Sequence, residues 1–287
     1  MGCPLCDDTG WKLVDTEGGS RRVERCDCWR DRLTATLIEE ARIPPRYHRC
    51  DLDNLLLYKN EKFLHAVDTA RRFATHFPVV DKGLFLDGPP GIGKTHIAVA
   101  VLKQVIRTKG ARGLFYDTRE LLRVIRSTFN PVTRTAEMDI LLPVMQADLL
   151  VLDDLGAEKT SEWVEETMNL IVNTRYNERR PTIFTSNYED LPDEEGDPQS
   201  LKARVGFRIH SRLHEMCEFL EYEGPDYRHL PPNVGADEMT SLWRLHPRRR
   251  LLPGKVKAPA KAHLREPSSP RRADPSDLRW SGGKAGS

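Results

Sequence analysis

The amino-acid sequence predicts an α/β fold in which a central five-stranded parallel sheet lies between two layers of helices. Two observations lead to this prediction. Between residues 36 and 230, short apolar runs bounded by turn residues alternate with stretches of helical periodicity. A loop of the form G-x-x-x-x-G-K-T, at 88–95, follows the first apolar run and opens the next helical stretch. Strands that alternate with helices form parallel sheets with crossover connections.

The predicted strands are apolar runs that end in Asp, Gly, Asn or another turn residue. They are GLFLDG (83–88), GLFYDT (113–118), DLLVLDDL (148–155), PTIFTSN (181–187) and CEFLEYEG (217–224). The predicted helices lie at about 94–109, 118–128, 161–179 and 198–216. Ligands of open α/β sheets bind at the carboxyl ends of the strands, so the polar residues that end these runs are the candidate site residues.

Composition sets limits on location and on binding partners. The longest apolar run, 97–102, is too short to span a membrane, and the N-terminus lacks a signal pattern, so a cytoplasmic location is expected. The net charge of +1 hides an asymmetry, because residues 231–287 hold twelve Lys or Arg against five Asp or Glu. The first 230 residues therefore carry a net charge of −6, and binding of nucleic acid would depend on local patches or on the basic tail.

The chain divides into four parts by composition and motif. We predict a cysteine-rich module at 1–35, a linking segment at 36–60, a nucleotide-binding domain at 61–230 and a tail at 231–287. The tail has eight prolines and few apolar residues, so it is predicted to be disordered.

The glycine-rich loop has the residues that binding of nucleotide phosphates requires. Its glycines let backbone N–H groups turn toward phosphate, and the following helix adds the positive end of its dipole. Lys94 is predicted to reach the β- and γ-phosphates of ATP, and Thr95 to bind Mg²⁺. A plain Gly/Pro turn would not require this order of strand, loop and helix. The predicted nucleotide-binding residues here are Gly88, Pro89, Pro90, Gly91, Ile92, Gly93, Lys94, Thr95 and His96.

Two adjacent carboxylates end the third predicted strand. Their mutual repulsion costs free energy unless a bound cation compensates the negative charge. Asp153 is the predicted partner of the nucleotide's Mg²⁺, and Asp154 is the candidate for polarising the attacking water. Asn187 ends the next predicted strand along the chain and could hydrogen-bond that water or the γ-phosphate. The plainer alternatives are an Asp-Asp surface turn and an Asn that caps the next turn.

Three arginines, Arg204, Arg208 and Arg212, recur every four residues, which predicts that they lie on nearly one face of a helix. The transition state of phosphoryl transfer spreads charge over the γ-oxygens, and an inserted arginine accelerates the transfer by roughly 10³–10⁵. If a neighbouring protomer supplies that arginine, hydrolysis depends on assembly. The alternative is a solvated helix face that these arginines share with Glu215 and Glu218.

Four cysteines near the N-terminus form two tight pairs, Cys3-x-x-Cys6 and Cys26-x-Cys28, with nineteen residues between the pairs. Each pair can hold one side of a tetrahedral metal ion, and a segment of this length needs such a staple to fold. We predict structural Zn²⁺, which offers about 10–16 kcal/mol of apparent binding free energy. A redox-active or unpaired set, or no site, are the alternatives. The runs WKLV and RRVER are predicted to pair as a small hairpin.

Several motifs, in the right order, resemble the AAA+ ATPases of the DnaC/IstB group, the bacterial replicative helicase loaders and transposition helpers. They are RIPPRY (42–47), GPPGIGKTHIA, LLVLDDLGAEKTSEW, FTSN, RIHSRL and GPDYR (224–228). The resemblance extends from about Ile43 to Arg228, about two thirds of the chain. The resemblance implies an AAA+ three-layer P-loop sandwich that binds ATP and Mg²⁺, hydrolyses ATP and assembles with copies of itself.

The resemblance also implies roles for individual residues. Arg208 resembles the arginine finger that acts on a neighbouring protomer, and Arg212, one turn further, is a second candidate. Arg228 resembles a sensor that reads the nucleotide in its own chain, and RIPPRY resembles the segment that packs near the adenine. The Asp-Asp pair, where most AAA+ proteins have Asp-Glu, is usual for this group and leaves the identity of the general base open.

The function that the resemblance implies is loading of the replicative DNA helicase onto single-stranded DNA when replication begins. The cysteine-rich module resembles a part that docks on the helicase or on DNA, which favours a loader over a transposition helper. Residues 119–134, with Arg119, Arg123, Arg126, Phe129 and Arg134, resemble an element that tracks single-stranded DNA, although ordinary core packing explains the same pattern. A transposition helper, a nucleotide-gated adaptor with little hydrolysis, and a P-loop kinase are the other functions considered.

Overall fold

A parallel sheet forms the centre of the part of the chain that the structure, a computed structural model, describes. The described residues are 3–7, 9–15, 20–128, 136–159, 161–190, 200–230 and 235–245. Their strands are β1 Trp11–Asp15, β2 Arg21–Arg25, β3 Gly83–Asp87, β4 Gly113–Asp117, β5 Leu149–Asp153, β6 Thr182–Ser186 and β7 Cys217–Glu221. Five of these described strands make the parallel sheet, in the order β4-β5-β6-β3-β7.

Helices connect the strands and cover both faces of the sheet. They are α1 Cys28–Glu40, α2 Glu61–His76, α3 Lys94–Lys109, α4 Thr118–Ser127, α5 Glu137–Gln146, α6 Glu162–Asn177, α7 Leu201–Val205, α8 Phe207–Met216 and α9 Ala236–Leu245. None of these described helices has both the length and the apolar character that crossing a bilayer requires.

Alternate side chains of the central strands are buried on opposite faces of the sheet, as the pleat of a strand dictates. Leu84 and Leu86 of β3 pack in one apolar cluster with residues of α1, α2 and α3. Phe85, between them, packs in a second cluster with residues of α4, α5, α6, α7 and α8. The sheet is therefore covered on both sides, which confirms the predicted three-layer α/β sandwich.

The five predicted strands of the parallel sheet are confirmed, and three of the four predicted helices begin and end close to the expected residues. The helix predicted at 198–216 is wrong at its middle, where Gly206, with a φ of 83°, separates α7 from α8. Arg204 therefore lies on α7, and only Arg208 and Arg212 share a helix. The break follows from a glycine that adopts a left-handed φ, which a helix interior does not allow.

The N-terminal part forms the small hairpin that the sequence predicts. Strands β1 and β2 pair antiparallel, with Leu13 opposite Val23. Helix α1 begins at Cys28, directly after the hairpin, and its residue Leu37 is buried against the main core. The boundary proposed between residues 35 and 36 thus falls inside a continuous helix.

One helix lies in the segment that the sequence predicts to be disordered. Met239 of α9 is fully buried in the main apolar cluster, and the Thr240 hydroxyl accepts a hydrogen bond of 3.4 Å from the backbone N–H of Lys59. The prediction of disorder is therefore wrong for 236–245, which form a helix. The burial of Met239 in the core stabilises this part of the proline-rich tail. The rest of the tail, 231–234 and 246–287, lies outside the described residues.

A buried arginine, Arg175 of α6, joins the end of helix α5 to the start of the central strand β6. Its side chain is 1% exposed, and burial lowers its pKa to about 9. The guanidinium donates to the Thr182 hydroxyl at 2.8 Å and to the backbone carbonyls of Val144, Met145, Ala147 and Pro181 at 2.7–3.1 Å. The last carbonyls of a helix have no partner within the helix, so this side chain satisfies the end of α5.

We expect Arg175→Leu to destabilise the protein by about 3–5 kcal/mol, because it leaves several buried carbonyls without donors. For a domain of this size the melting temperature should fall by about 6–20 °C in thermal unfolding followed by circular dichroism. The control is Arg72→Leu, since Arg72 is an exposed residue that pairs with Asp68 on the same helix. Equal melting temperatures of the two variants would contradict the role given to Arg175.

Candidate functional site

An open cleft of about 580 Å³ lies at the carboxyl end of the parallel sheet. Its walls come from the glycine-rich loop, from the ends of β4, β5 and β6, from the segment 46–56 and from residues 227–228. The carboxyl ends of parallel strands meet at one edge of a sheet, so motifs that are far apart in the sequence converge here.

Lys94, the first residue of α3, directs a buried ammonium group toward the glycine-rich loop and toward β6. Its Nζ donates to the backbone carbonyls of Gly88 and Pro89 at 2.7 and 2.8 Å and to Oδ1 of Asn187 at 2.7 Å. The N-terminus of α3 adds the positive end of a helix dipole at the same place. The site therefore concentrates positive charge where a phosphate group would enter.

The glycine-rich loop is held against the chain's later segment. Gly91 has a φ of 85°, and a Cβ atom there would lie 2.0 Å from Oδ1 of Asp226, so only glycine fits. The carbonyl of Gly91 accepts a hydrogen bond of 3.0 Å from the backbone N–H of Tyr227. This contact brings Arg228 to the rim of the cleft, which Pro90 and Gly93 also line. Ile92 is instead buried, as a core residue that anchors the loop.

Asp153, at the end of β5, contacts two hydroxyl groups from different elements. Oδ1 of Asp153 accepts from Thr95 Oγ1 at 2.9 Å and from Thr185 Oγ1 at 2.7 Å. Burial raises the pKa of the Asp153 carboxyl, the two hydroxyl hydrogen bonds oppose this rise, and the negative charges of Asp154 and Asp117 add to it. Burial and like charge of this kind are what a bound divalent cation relieves. The hydroxyl and carboxylate oxygens fit Mg²⁺, which prefers such hard ligands.

Asp154 reaches the same cleft because its backbone leaves the strand. Successive residues of a strand point to opposite faces, but Asp154 has a φ of 58°, a left-handed conformation that costs most residues energy and that Asp tolerates. Its Oδ1 accepts from Asn187 Nδ2 at 2.6 Å, and its Oδ2 accepts from Arg119 at 3.1 Å. Asn187 thus joins Asp154 to the Lys94 ammonium, so the structure brings these three candidate residues together.

The segment before α2 forms the remaining wall. Arg46 and Tyr47 line the cleft, and the Tyr47 ring lies 6.2 Å from that of Phe115. The imidazole Nε2 of His96 lies 3.0 Å from the backbone carbonyl of Asp51, and the His96 side chain also lines the cleft. The positions of Arg46, Tyr47 and His96 are compatible with the adenine side that the RIPPRY motif predicts, and that role stays a prediction.

The arginines of the RIHSRL motif lie away from this cleft. Arg208 is exposed, and Arg212 donates to the Arg208 carbonyl at 3.0 Å. Both line a separate groove of about 360 Å³ along α6. Arg204 instead donates to the Gly156 carbonyl at 2.7 Å and packs 5.0 Å from the Tyr188 ring centroid, so it holds the loop after β5. The structure does not bring Arg208 or Arg212 to the nucleotide cleft of their own chain.

The four N-terminal cysteines converge at the base of the hairpin. The Sγ atoms of Cys3 and Cys26 are 3.7 Å apart, those of Cys6 and Cys28 are 3.2 Å apart, and all four lie within 4.8 Å of one another. Sulfurs that bind one tetrahedral zinc at about 2.3 Å lie about 3.8 Å apart, so this set fits the ion.

Hydrogen bonds between the thiols of this cluster shift their pKa values in opposite directions. Burial alone would raise the pKa of Cys6, but hydrogen bonds from the Cys28 thiol and the Gly10 backbone lower it to about 7. The hydrogen bond with Cys6 raises the pKa of Cys28. A thiolate at Cys6 is the form that binds metal ions.

Sequence reasoning missed Arg119 and Asp117 as residues of this cleft. It grouped Arg119 with the arginines of the segment predicted to contact DNA, whereas the side chain of Arg119 pairs with Asp154. Asp117 ends β4, which lies beside β5, and it lines the cleft. The rule that ligands bind at strand ends applies to β4 as well and would have found Asp117. Of the segment predicted to contact DNA, Phe129 and Arg134 lie outside the described residues.

Comparisons with known proteins agree with this fold. The model of the family described as IstB-like ATP binding protein matches residues 31–230. The chain is 26% identical over 166 residues to the replicative helicase loader DnaC of Escherichia coli (strain K12), and this match covers 57% of the chain and 66% of that protein. It is 27% identical over 158 residues to the replicative helicase loader DnaI of Bacillus subtilis (strain 168), over 52% of the chain and 48% of that protein.

A solved structure is similar as well. The crystal structure of the DnaC helicase loader matches with a TM-score of 0.55 and 36% identity, and the match covers 63% of the chain and all of that structure's chain. The chain therefore matches about two thirds of the length of one curated relative and about half of the other.

We expect Lys94→Ala to weaken ATP binding by roughly ten- to a hundredfold, because it removes charge-assisted hydrogen bonds to phosphate. The dissociation constant can be measured with a fluorescent ATP analogue, and thermal unfolding checks the fold. Lys109→Ala, at the exposed end of the same helix, is the matched control. Similar affinities for the two variants would exclude Lys94 from the phosphate site.

Proposed function

The chain belongs to the IstB-like ATP-binding family of AAA+ proteins, and from this premise we propose that it hydrolyses ATP in order to load the replicative DNA helicase onto single-stranded DNA. The observation that carries the proposal is the polar network in which Asn187 links the Lys94 ammonium to the Asp154 carboxylate. The similarity to proteins named replicative helicase loaders supports the choice of partner.

The proposed chemistry uses the residues of the cleft in distinct roles. Lys94 donates to the β- and γ-phosphates, which take over part of its hydrogen bonding to the loop carbonyls. A magnesium ion held at Thr95, with Asp153 beside it, would supply positive charge across the same phosphates. Asp154 orients the attacking water and accepts its proton, while Asn187 and Arg119 hold the carboxylate in place. Arg228, at the rim, contacts the nucleotide from the same chain.

Three arginines of the same chain line the cleft, Arg46, Arg119 and Arg228, and α8 carries two more that lie away from it. We propose that Arg208, assisted by Arg212, enters the cleft of an adjacent copy of this chain. Its exposure, and its distance from the residues that line its own cleft, support an action between protomers. Self-assembly is then a condition for hydrolysis, as in other enzymes that receive an arginine finger in trans.

We expect Arg208→Ala to bind ATP normally and to lose roughly 10³-fold or more of the hydrolysis rate. Asp154→Asn should also be inactive, since it lacks the group that accepts the proton. A mixture of the two variants should regain activity, because some interfaces then combine an intact cleft with an intact Arg208. The readout is phosphate release, with Arg72→Ala as the exposed control. A mixture no more active than the sum of its parts, with both variants folded, would contradict the proposal.

We propose that single-stranded DNA binds to the surface beside helix α4. A groove of about 520 Å³ beside this helix is lined by Arg123, Arg126, Lys159 and Trp163, among others. The Arg126 guanidinium lies 4.6 Å from the Trp163 ring centroid, so a cation and an aromatic face are available side by side. Bases stack on aromatic rings and phosphates pair with arginines in single-strand binding, which supports this groove as the DNA contact.

The cysteine module is the proposed dock for the helicase, with structural Zn²⁺ bound by Cys3, Cys6, Cys26 and Cys28. The hairpin exposes Leu13 and Val23 opposite each other, with 66% and 61% of their surfaces accessible. Adjacent apolar side chains of this exposure are typical of interaction surfaces. Arg25, between the rings of Trp11 and Trp29, stiffens the same module through cation–π contacts of 5.3 and 4.3 Å.

A loading assay with the replicative helicase of the same organism tests this function. We expect the wild-type chain to bind that helicase and to increase the amount of it on single-stranded DNA when ATP is present. The double variant Leu13→Asp, Val23→Asp should lose capture and loading but keep ATP hydrolysis, because its changes lie outside the cleft. Val79→Asp is the matched control, since Val79 is 86% exposed on another part of the surface. Loading that is unchanged in the double variant would refute the docking surface, and no loading by the wild type would refute the function.

A further inference from the structure

Helix α8 carries a second group of metal-ligating side chains, separate from the nucleotide cleft and from the cysteine module. His210 and His214 are one turn apart, and both contact the carboxylate of Asp190. The Nε2 atom of His210 lies 2.6 Å from Oδ1 of Asp190, and the Nε2 atom of His214 lies 2.8 Å from Oδ2. We propose that these three residues bind one divalent transition-metal ion, of which Zn²⁺ is the natural probe.

The donor set fits this chemistry. Two imidazole nitrogens and one carboxylate oxygen are ligands that zinc and related ions accept, and three protein ligands leave a position for water. Ligands that share such an ion at about 2.0–2.2 Å lie roughly 3.3–3.6 Å apart, so the two contacts need to open by about 0.5–1 Å. The metal would take the place of the present direct contacts between the imidazole nitrogens and the carboxylate.

The side chains are already held in place by their neighbours. The His214 ring stacks on Phe219 with 4.3 Å between ring centroids and 5° between ring planes, and the His210 ring meets His214 edge-on at 4.7 Å. The His210 side chain is 16% exposed and that of His214 is 47% exposed, so one side of the site faces solvent. The ion would therefore find orientated ligands on one side and a place for water on the other.

The cations beside this site do not occupy its ligand atoms. Lys82 donates to the backbone carbonyl of His214 at 3.2 Å, so its ammonium lies at the end of α8. Arg208 and Arg212 alternate with the histidines along the helix, and a separation of two residues places them on roughly the opposite side. The positive charges of Lys82, Arg208 and Arg212 therefore point away from the proposed metal position, which weakens their repulsion of the ion.

The position of the site indicates what the ion would do. Asp190 lies three residues after Asn187, and the histidines lie on the helix that presents Arg208. A metal bound by all three residues would cross-link helix α8 to Asp190 in the segment that follows β6. A further effect on hydrolysis rests on the proposed function, whereas metal binding itself does not.

The test is zinc content of the full chain after equilibration with a small excess of Zn²⁺ and gel filtration. We expect His210→Gln, His214→Gln to hold about one equivalent less than the wild type, because two of three ligands are lost. This difference does not depend on whether the cysteine module binds zinc, since both proteins contain it. His65→Gln, an exposed histidine on α2, should bind as much zinc as the wild type.

Two further measurements keep the proposal falsifiable if the double variant folds poorly. Asp190→Asn, which keeps both histidines, should also lose the additional equivalent. With Co²⁺ in place of Zn²⁺, the visible spectrum of the wild type minus that of either variant should show bands without thiolate charge transfer, because the cysteine module contributes equally to both spectra. Equal zinc uptake by the wild type, the double variant and Asp190→Asn would overturn the site.

Discussion

The hydrogen bonds of Asn187 are the contact on which the rest of the site depends. One side-chain amide accepts from the ammonium of Lys94 and donates to the carboxylate of Asp154. It therefore joins the end of β6 to the end of β5 and to the start of α3, the helix that follows β3. The sheet order places β6 between β5 and β3, and only the middle strand can reach both neighbours. The topology therefore fixes which residue joins the lysine of the glycine-rich loop to the carboxylate after β5.

The arginines of the chain divide between two places. Arg46, Arg119 and Arg228 line the cleft, while Arg208 and Arg212 line a separate groove. Catalysis of phosphoryl transfer depends mainly on placing positive charge at the γ-phosphate. If another copy of the chain adds a further positive charge there, as proposed, hydrolysis would respond to assembly.

Local motifs let much of the fold and of the candidate site be predicted from the sequence. The strands, the glycine-rich loop and the convergence of Lys94, Asp154 and Asn187 follow from residue patterns and from the rule about strand ends. The pairing of Arg119 with Asp154, and of Asp190 with two histidines, depends on tertiary geometry that no local pattern carries. The sequence does not predict the break at Gly206, because the residues on both sides of it keep a helical periodicity. It does not predict the helix that buries Met239, because the high proline content of the tail indicates disorder.

The central claim is that hydrolysis is completed between copies of the chain, and the rate of ATP hydrolysis per chain at different protein concentrations tests it most directly. At saturating ATP, the rate per chain should rise steeply with concentration and then level off as interfaces form, in parallel with the oligomer measured by light scattering. A rate per chain that stays constant down to concentrations at which only monomers remain would contradict the account.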